Sequence, residues 1–87
     1  CGDFNMRPDD PLMRELLGEF RDAWQIAQPG LAQPPTFGVF DPKFATEPYC
    51  CDFVFISEEL AARVAAVRVD SDCQASDHQP VIAEFRP

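Results

Sequence analysis

The chain has 87 residues and a formal net charge of −8, and 46% of its residues are hydrophobic while 25% are charged. This length allows no more than one domain, and the hydrophobic share is typical of a globular protein and not of a disordered one. The net charge and the seven scattered Lys and Arg residues argue against nucleic-acid binding through a basic patch, and no apolar run is long enough to span a membrane. We therefore expect one soluble domain.

The acidic charge does not exclude a site that handles phosphate, because sites that act through a divalent cation are built from carboxylates. The four cysteines, at positions 1, 50, 51 and 73, include no CxxC pair, and with a single histidine they do not fit a zinc site. Buried, reduced thiols in a cytoplasmic protein are the simpler interpretation.

The first part of the chain predicts a strand end, a turn and then helices. Asp10 is a suitable N-cap for a helix that begins at Pro11, because proline has no amide hydrogen to leave unpaired there. Residues at helical spacing give this helix one apolar face: Leu12, Leu16, Leu17 and Phe20. Gly18 either ends or weakens the helix. A short helical turn or irregular segment follows, with Trp24 packed inward.

The segment from Pro29 to Pro48 contains five prolines, which interrupt any regular helix or strand. Large apolar residues in and beside it argue against a freely moving linker: Phe37, Val39, Phe40, Phe44 and Tyr49. We expect a long ordered loop that packs on the sheet. It either borders a pocket or only covers sheet surface.

The strongest strand prediction covers residues 51–57. Phe53 and Phe55 point to one face, while Asp52, Val54 and Ile56 point to the other. Both faces are apolar, as in a strand that is covered on both sides. An aspartate at position 52 is therefore costly to bury unless it is paired.

A short helix is predicted next, with Ser57 as its cap and residues 60–64 at its end. Two glutamates in the first turn favour it, because the helix amino terminus is positive. Val67 and Val69 alternate with charged residues as a half-exposed strand. Residues 71–78 are predicted to form a polar loop, and residues 81–85 the last strand.

Polar residues lie at the ends or in the middle of three hydrophobic segments. They are Asp3 with Asn5, then Asp52, then Asp77 with His78. At the mouth of a strand, a histidine can take or give a proton near neutral pH. Its neighbour Asp77 could hold a metal ion or fix the ring. An Asp-His pair alone usually belongs to an ordinary loop. A functional site is favoured here because two other hydrophobic segments also carry polar residues.

Three motifs in chain order are similar to the C-terminal half of the endonuclease/exonuclease/phosphatase superfamily, whose fold is deoxyribonuclease I-like. The resemblance covers residues 2–86 and includes Thr36-Phe37 in the intervening loop. The motifs are Gly2-Asp3-Phe4-Asn5, then Asp52-Phe53-Val54-Phe55-Ile56-Ser57, then Ser76-Asp77-His78-Gln79-Pro80-Val81. The resemblance implies an α+β fold, in which residues 1–87 are the C-terminal part of one four-layer sandwich domain. This half would hold one mainly antiparallel sheet with flanking short helices.

The resemblance also implies a metal-dependent nuclease or phosphatase that hydrolyses phosphodiesters or phosphomonoesters with Mg²⁺ or Mn²⁺. Asp3 is then the carboxylate that orients or deprotonates the attacking water, and Asn5 holds that water and a phosphate oxygen. Asp52 fixes the tautomer of His78, which is placed against the scissile phosphate. Asp77 lies beside the metal, whose principal glutamate ligand is expected before Cys1.

Two departures from the family pattern limit this interpretation. The family's amino-terminal half normally supplies an asparagine, a metal-binding glutamate and another histidine, so these 87 residues alone are expected to be inactive or nearly so. Cys50 and Gln79 stand where relatives often carry Arg, which removes positive charge near the expected substrate edge. This argues against a long DNA substrate more than against phosphate-ester chemistry.

The substrate stays open among DNA, RNA and small phosphate esters, and no membrane partner is expected. The alternative is a non-catalytic binding module that retains the same fold. On its own, the chain is expected to self-associate through a bare apolar sheet face.

Overall fold

The structure is a computed structural model, and it describes residues 1–40, 43 and 47–87. No helix in these residues is long and apolar enough to cross a membrane. The elements follow in chain order as strand β1 (Gly2–Asp3), helix α1 (Pro11–Glu19), strand β2 (Arg21–Asp22), helix α2 (Ala23–Ala27), strands β3 (Asp52–Phe53) and β4 (Phe55–Ile56), helix α3 (Glu58–Ala61), and strands β5 (Val64–Val69) and β6 (Val81–Phe85).

The strand pairs that the structure describes are all antiparallel: β1 with β3, β2 with β4, and β5 with β6. The pairing is divided among three two-stranded ladders, where the sequence suggested one sheet. Only Val54 separates β3 from β4, and its carbonyl accepts a hydrogen bond from the Ala23 amide at 2.9 Å. The extended segment 52–56 therefore pairs with β1 at its start and with β2 at its end.

Helix α1 begins where the sequence predicts. Oδ1 of Asp10 accepts a hydrogen bond from the Leu12 amide at 2.9 Å, and Pro11 occupies the first helical position. Gly18 does not end this helix, since the helix continues to Glu19. Its buried residue is Met13, whereas most of the predicted apolar face is exposed in the described residues: Leu12, Leu17 and Phe20.

The segment 52–56 is covered on both faces, as predicted. Phe53 is 2% exposed and lies in a core cluster with Met13 and Cys50, against which Phe55 packs. Residues of the other face, Val54 and Ile56, belong to a second cluster with Ala23, Trp24, Val64 and Val67. Trp24 is buried as expected, and its indole N–H donates to the Leu31 carbonyl at 2.7 Å.

Helix α3 is shorter than predicted. It ends at Ala61, and Val64 begins strand β5 opposite Phe85 of β6, so its assignment to the helix was wrong. Val64 is buried in the ladder, where a β-branched side chain packs well. Ser57 occupies the N-cap position, although its side chain makes no capping hydrogen bond.

Candidate active site

Asp52 and His78 form a hydrogen-bonded pair between two distant parts of the chain. Nδ1 of His78 lies 2.7 Å from Oδ2 of Asp52. Asp52 begins strand β3, and His78 lies just before strand β6. The carboxylate that the sequence identified as costly to bury therefore has a partner.

Asp3 completes a row of three ionisable side chains. It lies directly opposite Asp52 in the β1–β3 ladder, so the strand register itself brings two carboxylates side by side. The other ring nitrogen of His78, Nε2, is 3.8 Å from Oδ2 of Asp3. The imidazole is thus placed between two carboxylates.

These carboxylates raise the pKa of His78 above its ordinary value. The hydrogen bond to Asp52 contributes most, and the charges of Asp52, Asp3 and Asp77 add to it, against partial burial, which lowers the pKa. The ring is therefore protonated over more of the neutral range than a free histidine. Because Nδ1 is engaged by Asp52, Nε2 is the nitrogen that can act on a ligand.

Asn5 follows Asp3 in a tight turn. Its amide donates to Oδ1 of Asp3 at 2.7 Å, and its φ of 52° lies in the left-handed region that asparagine tolerates better than most residues. This bond holds one oxygen of Asp3 and leaves Oδ2 facing His78. Asn5 also lines an adjoining cleft with Arg7 and Tyr49.

Asp77 lies next to this group but not within it. Its Oδ1 accepts from the Ser76 hydroxyl at 3.2 Å, and the same hydroxyl accepts from the His78 amide at 3.1 Å. Among the described residues, one group has potential ligand atoms that all lie within 4.8 Å of one another: Asp3, Cys51, Asp52 and His78. Asp77 is exposed in the loop beside it.

The residues at this site fit a hard divalent cation only through their carboxylates. Asp3 and Asp77 offer the oxygen ligands that such cations prefer. Burial, followed by the charge of Asp52, raises the pKa of the Cys51 thiol to about 12, so this sulfur stays protonated and is a poor ligand. Asp52 and His78 are already bonded to each other.

Thr36 organises the site, although the sequence assigned it no role beyond the family motif. It is fully buried, and its hydroxyl oxygen accepts from the amides of Cys51 at 3.1 Å and Asp52 at 3.2 Å. Its carbonyl accepts from the Gln79 amide at 2.7 Å. Thr36 therefore joins the strand that carries Asp52 to the segment that carries His78.

Phe37 shows that the Pro-rich loop borders the site. Its ring centre lies 4.9 Å from that of His78 and 5.5 Å from that of Tyr49. Val39 is half-buried and Phe40 is exposed. Phe44 lies outside the described residues.

Cys50 and Gln79, which stand where relatives often carry Arg, are both buried, at 4% and 2% exposed. The side-chain amide of Gln79 donates to the Cys73 carbonyl at 3.3 Å. All four cysteines are free, and Cys50 and Cys51 are buried.

Comparisons with known proteins identify a family and a solved structure to which this chain is similar. The model of the Endonuclease/Exonuclease/phosphatase family matches residues 1–78. The structure of the 3′ phosphatase NExo from Neisseria, bound to product DNA hairpin, matches 98% of this chain with 26% identity and a TM-score of 0.76. This chain spans 43% of that one. No curated protein matches. The structural likeness confirms the predicted deoxyribonuclease I-like fold.

Proposed function

The chain belongs to the endonuclease/exonuclease/phosphatase family, and from this premise we propose that it is the C-terminal part of a metal-dependent phosphoesterase domain. The observation that carries the proposal is the imidazole of His78, which lies 2.7 Å from Asp52 and 3.8 Å from Asp3. A likeness to a phosphatase that was solved with its DNA product supports the same chemistry.

In the proposed hydrolysis, some side chains act on the attacking water and others act on the phosphate. Oδ2 of Asp3 orients the attacking water and accepts its proton, because Oδ1 is already bonded to the Asn5 amide. Protonated His78 donates from Nε2 to a phosphoryl oxygen as negative charge develops there. Asp52 holds the ring in the correct orientation, and the Asn5 side chain binds the water and a phosphate oxygen.

We assign Asp77 to a Mg²⁺ or Mn²⁺ ion, together with a principal glutamate ligand from outside residues 1–87. When bound, the ion supplies positive charge at the scissile phosphate, which an acidic chain otherwise lacks. Because this chain spans 43% of the matched phosphatase, we expect residues 1–87 alone to be inactive.

Hydrolysis by the full-length protein tests the proposal. With Mg²⁺, we expect turnover of p-nitrophenyl phosphate or of a terminally phosphorylated oligonucleotide, and we expect EDTA to abolish it. His78→Ala should lower kcat by about a hundredfold or more, because it removes the group that acts on the phosphate. Gln74→Ala is the control, since Gln74 is exposed in the same loop and makes none of the site contacts.

Two results would contradict this function. An unchanged rate in His78→Ala would remove the histidine from the catalytic machinery. A folded wild-type protein that hydrolyses neither compound with Mg²⁺ or Mn²⁺ would favour the non-catalytic binding module.

A further inference from the structure

A cleft of about 340 Å³ lies beside the turn that carries Asp3 and Asn5. Asn5, Arg7 and Tyr49 line it, together with Met6, Asp9 and Asp10. Arg7 is the basic residue of this lining. Arg7 takes no part in the proposed hydrolysis.

Arg7 is held in place by an aromatic ring. Its guanidinium carbon lies 4.4 Å from the centre of the Tyr49 ring. A cation–π contact of this kind stabilises the guanidinium group over the ring and leaves its N–H groups able to donate. Among the described residues, no carboxylate lies within ion-pair distance of Arg7.

The position of Arg7 is tied to the catalytic pair. Phe37 lies between Tyr49 and His78, with ring centres 5.5 Å and 4.9 Å away. Phe37 and Tyr49 also exchange backbone hydrogen bonds in both directions, each 3.1 Å long. From the other side, Arg7 is two residues from Asn5, which lines the same cleft.

The charge at the site explains why a fixed cation matters here. The chain carries a net charge of −8, and three carboxylates act on His78: Asp52, Asp3 and Asp77. A substrate with a second phosphate group would meet repulsion unless a cation faced that group. A guanidinium group is well matched to phosphate, since it offers several N–H donors in one plane.

We propose that Arg7, supported by Tyr49, binds a second phosphate group of the substrate, beside the ester that is hydrolysed. This inference depends on the proposed function, which locates the scissile phosphate at Asp3, Asn5 and His78. It selects substrates with at least two neighbouring phosphates. These are either nucleic-acid strands or small bisphosphorylated molecules.

The first test is kinetic and uses the full-length protein with three substrates. They are a terminally phosphorylated oligonucleotide, a nucleoside bisphosphate and p-nitrophenyl phosphate, which has a single phosphate. In Arg7→Ala, the ratio of kcat/KM for a multiply phosphorylated substrate to kcat/KM for p-nitrophenyl phosphate should fall about tenfold, mainly through KM. A larger fall in this ratio for the oligonucleotide would assign the second phosphate to a nucleic-acid strand, and a larger fall for the nucleoside bisphosphate would assign it to a small molecule.

Four further variants, one of them a matched control, complete this test. Arg68→Ala removes the same charge from an exposed position on β5, away from the cleft, and should leave the ratio unchanged. Arg7→Lys should recover part of the loss, because it keeps the charge but not the planar donor set. Tyr49→Leu should reproduce a weaker form of the Arg7→Ala defect, whereas Tyr49→Phe retains the ring.

The second test measures binding without catalysis, in the His78→Ala protein. Fluorescence anisotropy gives the affinity for a labelled oligonucleotide over a range of salt concentrations. Loss of one phosphate contact should weaken binding and reduce the slope of log K against log salt by about 0.7. Arg68→Ala should not change that slope.

The outcomes separate the two proposals. Equal losses on all three substrates would overturn the role of Arg7. A salt slope that Arg7→Ala does not change would overturn a nucleic-acid strand as the source of the second phosphate. Binding that depends on Arg7 in a wild-type protein that hydrolyses nothing would overturn the proposed function and retain the phosphate site.

Discussion

Asp3 and Asp52 face each other across the β1–β3 ladder, an arrangement that ordinarily costs stability because the charges are alike. Protonated His78 between them offsets this repulsion. This arrangement raises the pKa of His78, and the hydrogen bond that His78 donates to Asp52 is the largest cause. The same contacts therefore affect both the chemistry and the stability of the protein.

Asp52→Asn should lower the pKa of His78 towards its ordinary value of 6.5, because an amide carries no charge to stabilise the imidazolium. An NMR titration of the imidazole protons in the full-length protein measures this shift. Asp9→Asn is the matched control, since Asp9 is exposed and is not among the residues that shift His78. An unchanged pKa in Asp52→Asn would contradict the pairing.

The raised pKa also sets a pH dependence of stability. Folded His78 holds its proton more tightly than unfolded His78, so the contribution to stability is fully present below pH 6.5, the ordinary value. It is lost as the pH rises through the folded value. The free energy of unfolding of wild type should therefore fall over that range, and the fall should be smaller in Asp52→Asn.

At the scale of elements, one loop residue connects two strands. The hydroxyl oxygen of Thr36 accepts from the amides of Cys51 and Asp52, and its carbonyl accepts from the Gln79 amide. The loop is thus the structural link between β3 and the residues before β6. Its Phe37 adds a ring against His78.

Thr36→Val should destabilise the protein by about 1–3 kcal/mol, because it leaves two amides near the core without an acceptor. Chemical denaturation measures this loss. Thr36→Ser is the control, since it keeps the oxygen and removes only a methyl group. Equal stability of the two variants would show that the hydroxyl bonds do not matter. We also expect Thr36→Val to lower kcat, because Asp52 loses its fixed position.

The sequence predicted helices and strands well where residues close together in the chain determine them. Asp10 and Pro11 begin α1, and the alternation of residues 52–56 gives the two covered faces. Val64 could not be assigned in this way, because the helical spacing after Ser57 fits it equally well. Val64 belongs to strand β5 because it pairs with Phe85, which lies far along the chain.

For the site as well, local signals were predictable from the sequence, whereas contacts between distant segments were not. Asp52 needed a partner on physical grounds alone, and the family motifs identified His78, Asp3 and Asn5. The opposition of Asp3 and Asp52 was not predictable, because the strand register depends on contacts between distant segments. The contacts of Thr36 and Phe37 were not predictable either, because they also join distant segments. A Pro-rich sequence has no periodicity from which the positions of these residues could be predicted.

At the scale of the whole molecule, α1 leaves a large apolar surface uncovered in the described residues. Leu12, Leu17 and Phe20 are 58%, 46% and 41% exposed. A cleft of about 510 Å³ beside them is lined by Phe4, Met6, Leu12 and Leu16, with Glu15 and Glu19. Surfaces of this kind are normally covered by other protein.

The bare sheet face expected from the sequence is not found at residues 53–56, which are buried or half-buried, so that expectation was wrong and the α1 surface takes its place. We therefore expect residues 1–87, prepared alone, to form dimers or larger assemblies, which analytical ultracentrifugation would detect. Leu12→Glu with Phe20→Glu should shift the chain towards monomer, because the charges would have to be buried in the contact. Arg14→Glu, at an exposed position of the same helix, is the control. A monomer at high concentration would contradict the prediction.

Asn5 has a left-handed backbone conformation, with a φ of 52°. The effect of its backbone on the turn can therefore be separated from the effect of its side-chain carboxamide. Glycine adopts such a conformation without penalty, so it would preserve the turn that orients Asp3 while deleting the carboxamide. Alanine would delete the same carboxamide and strain the chain as well. The difference in turnover between the two variants would therefore report how much the shape of the turn, apart from the side chain, matters to the proposed activity.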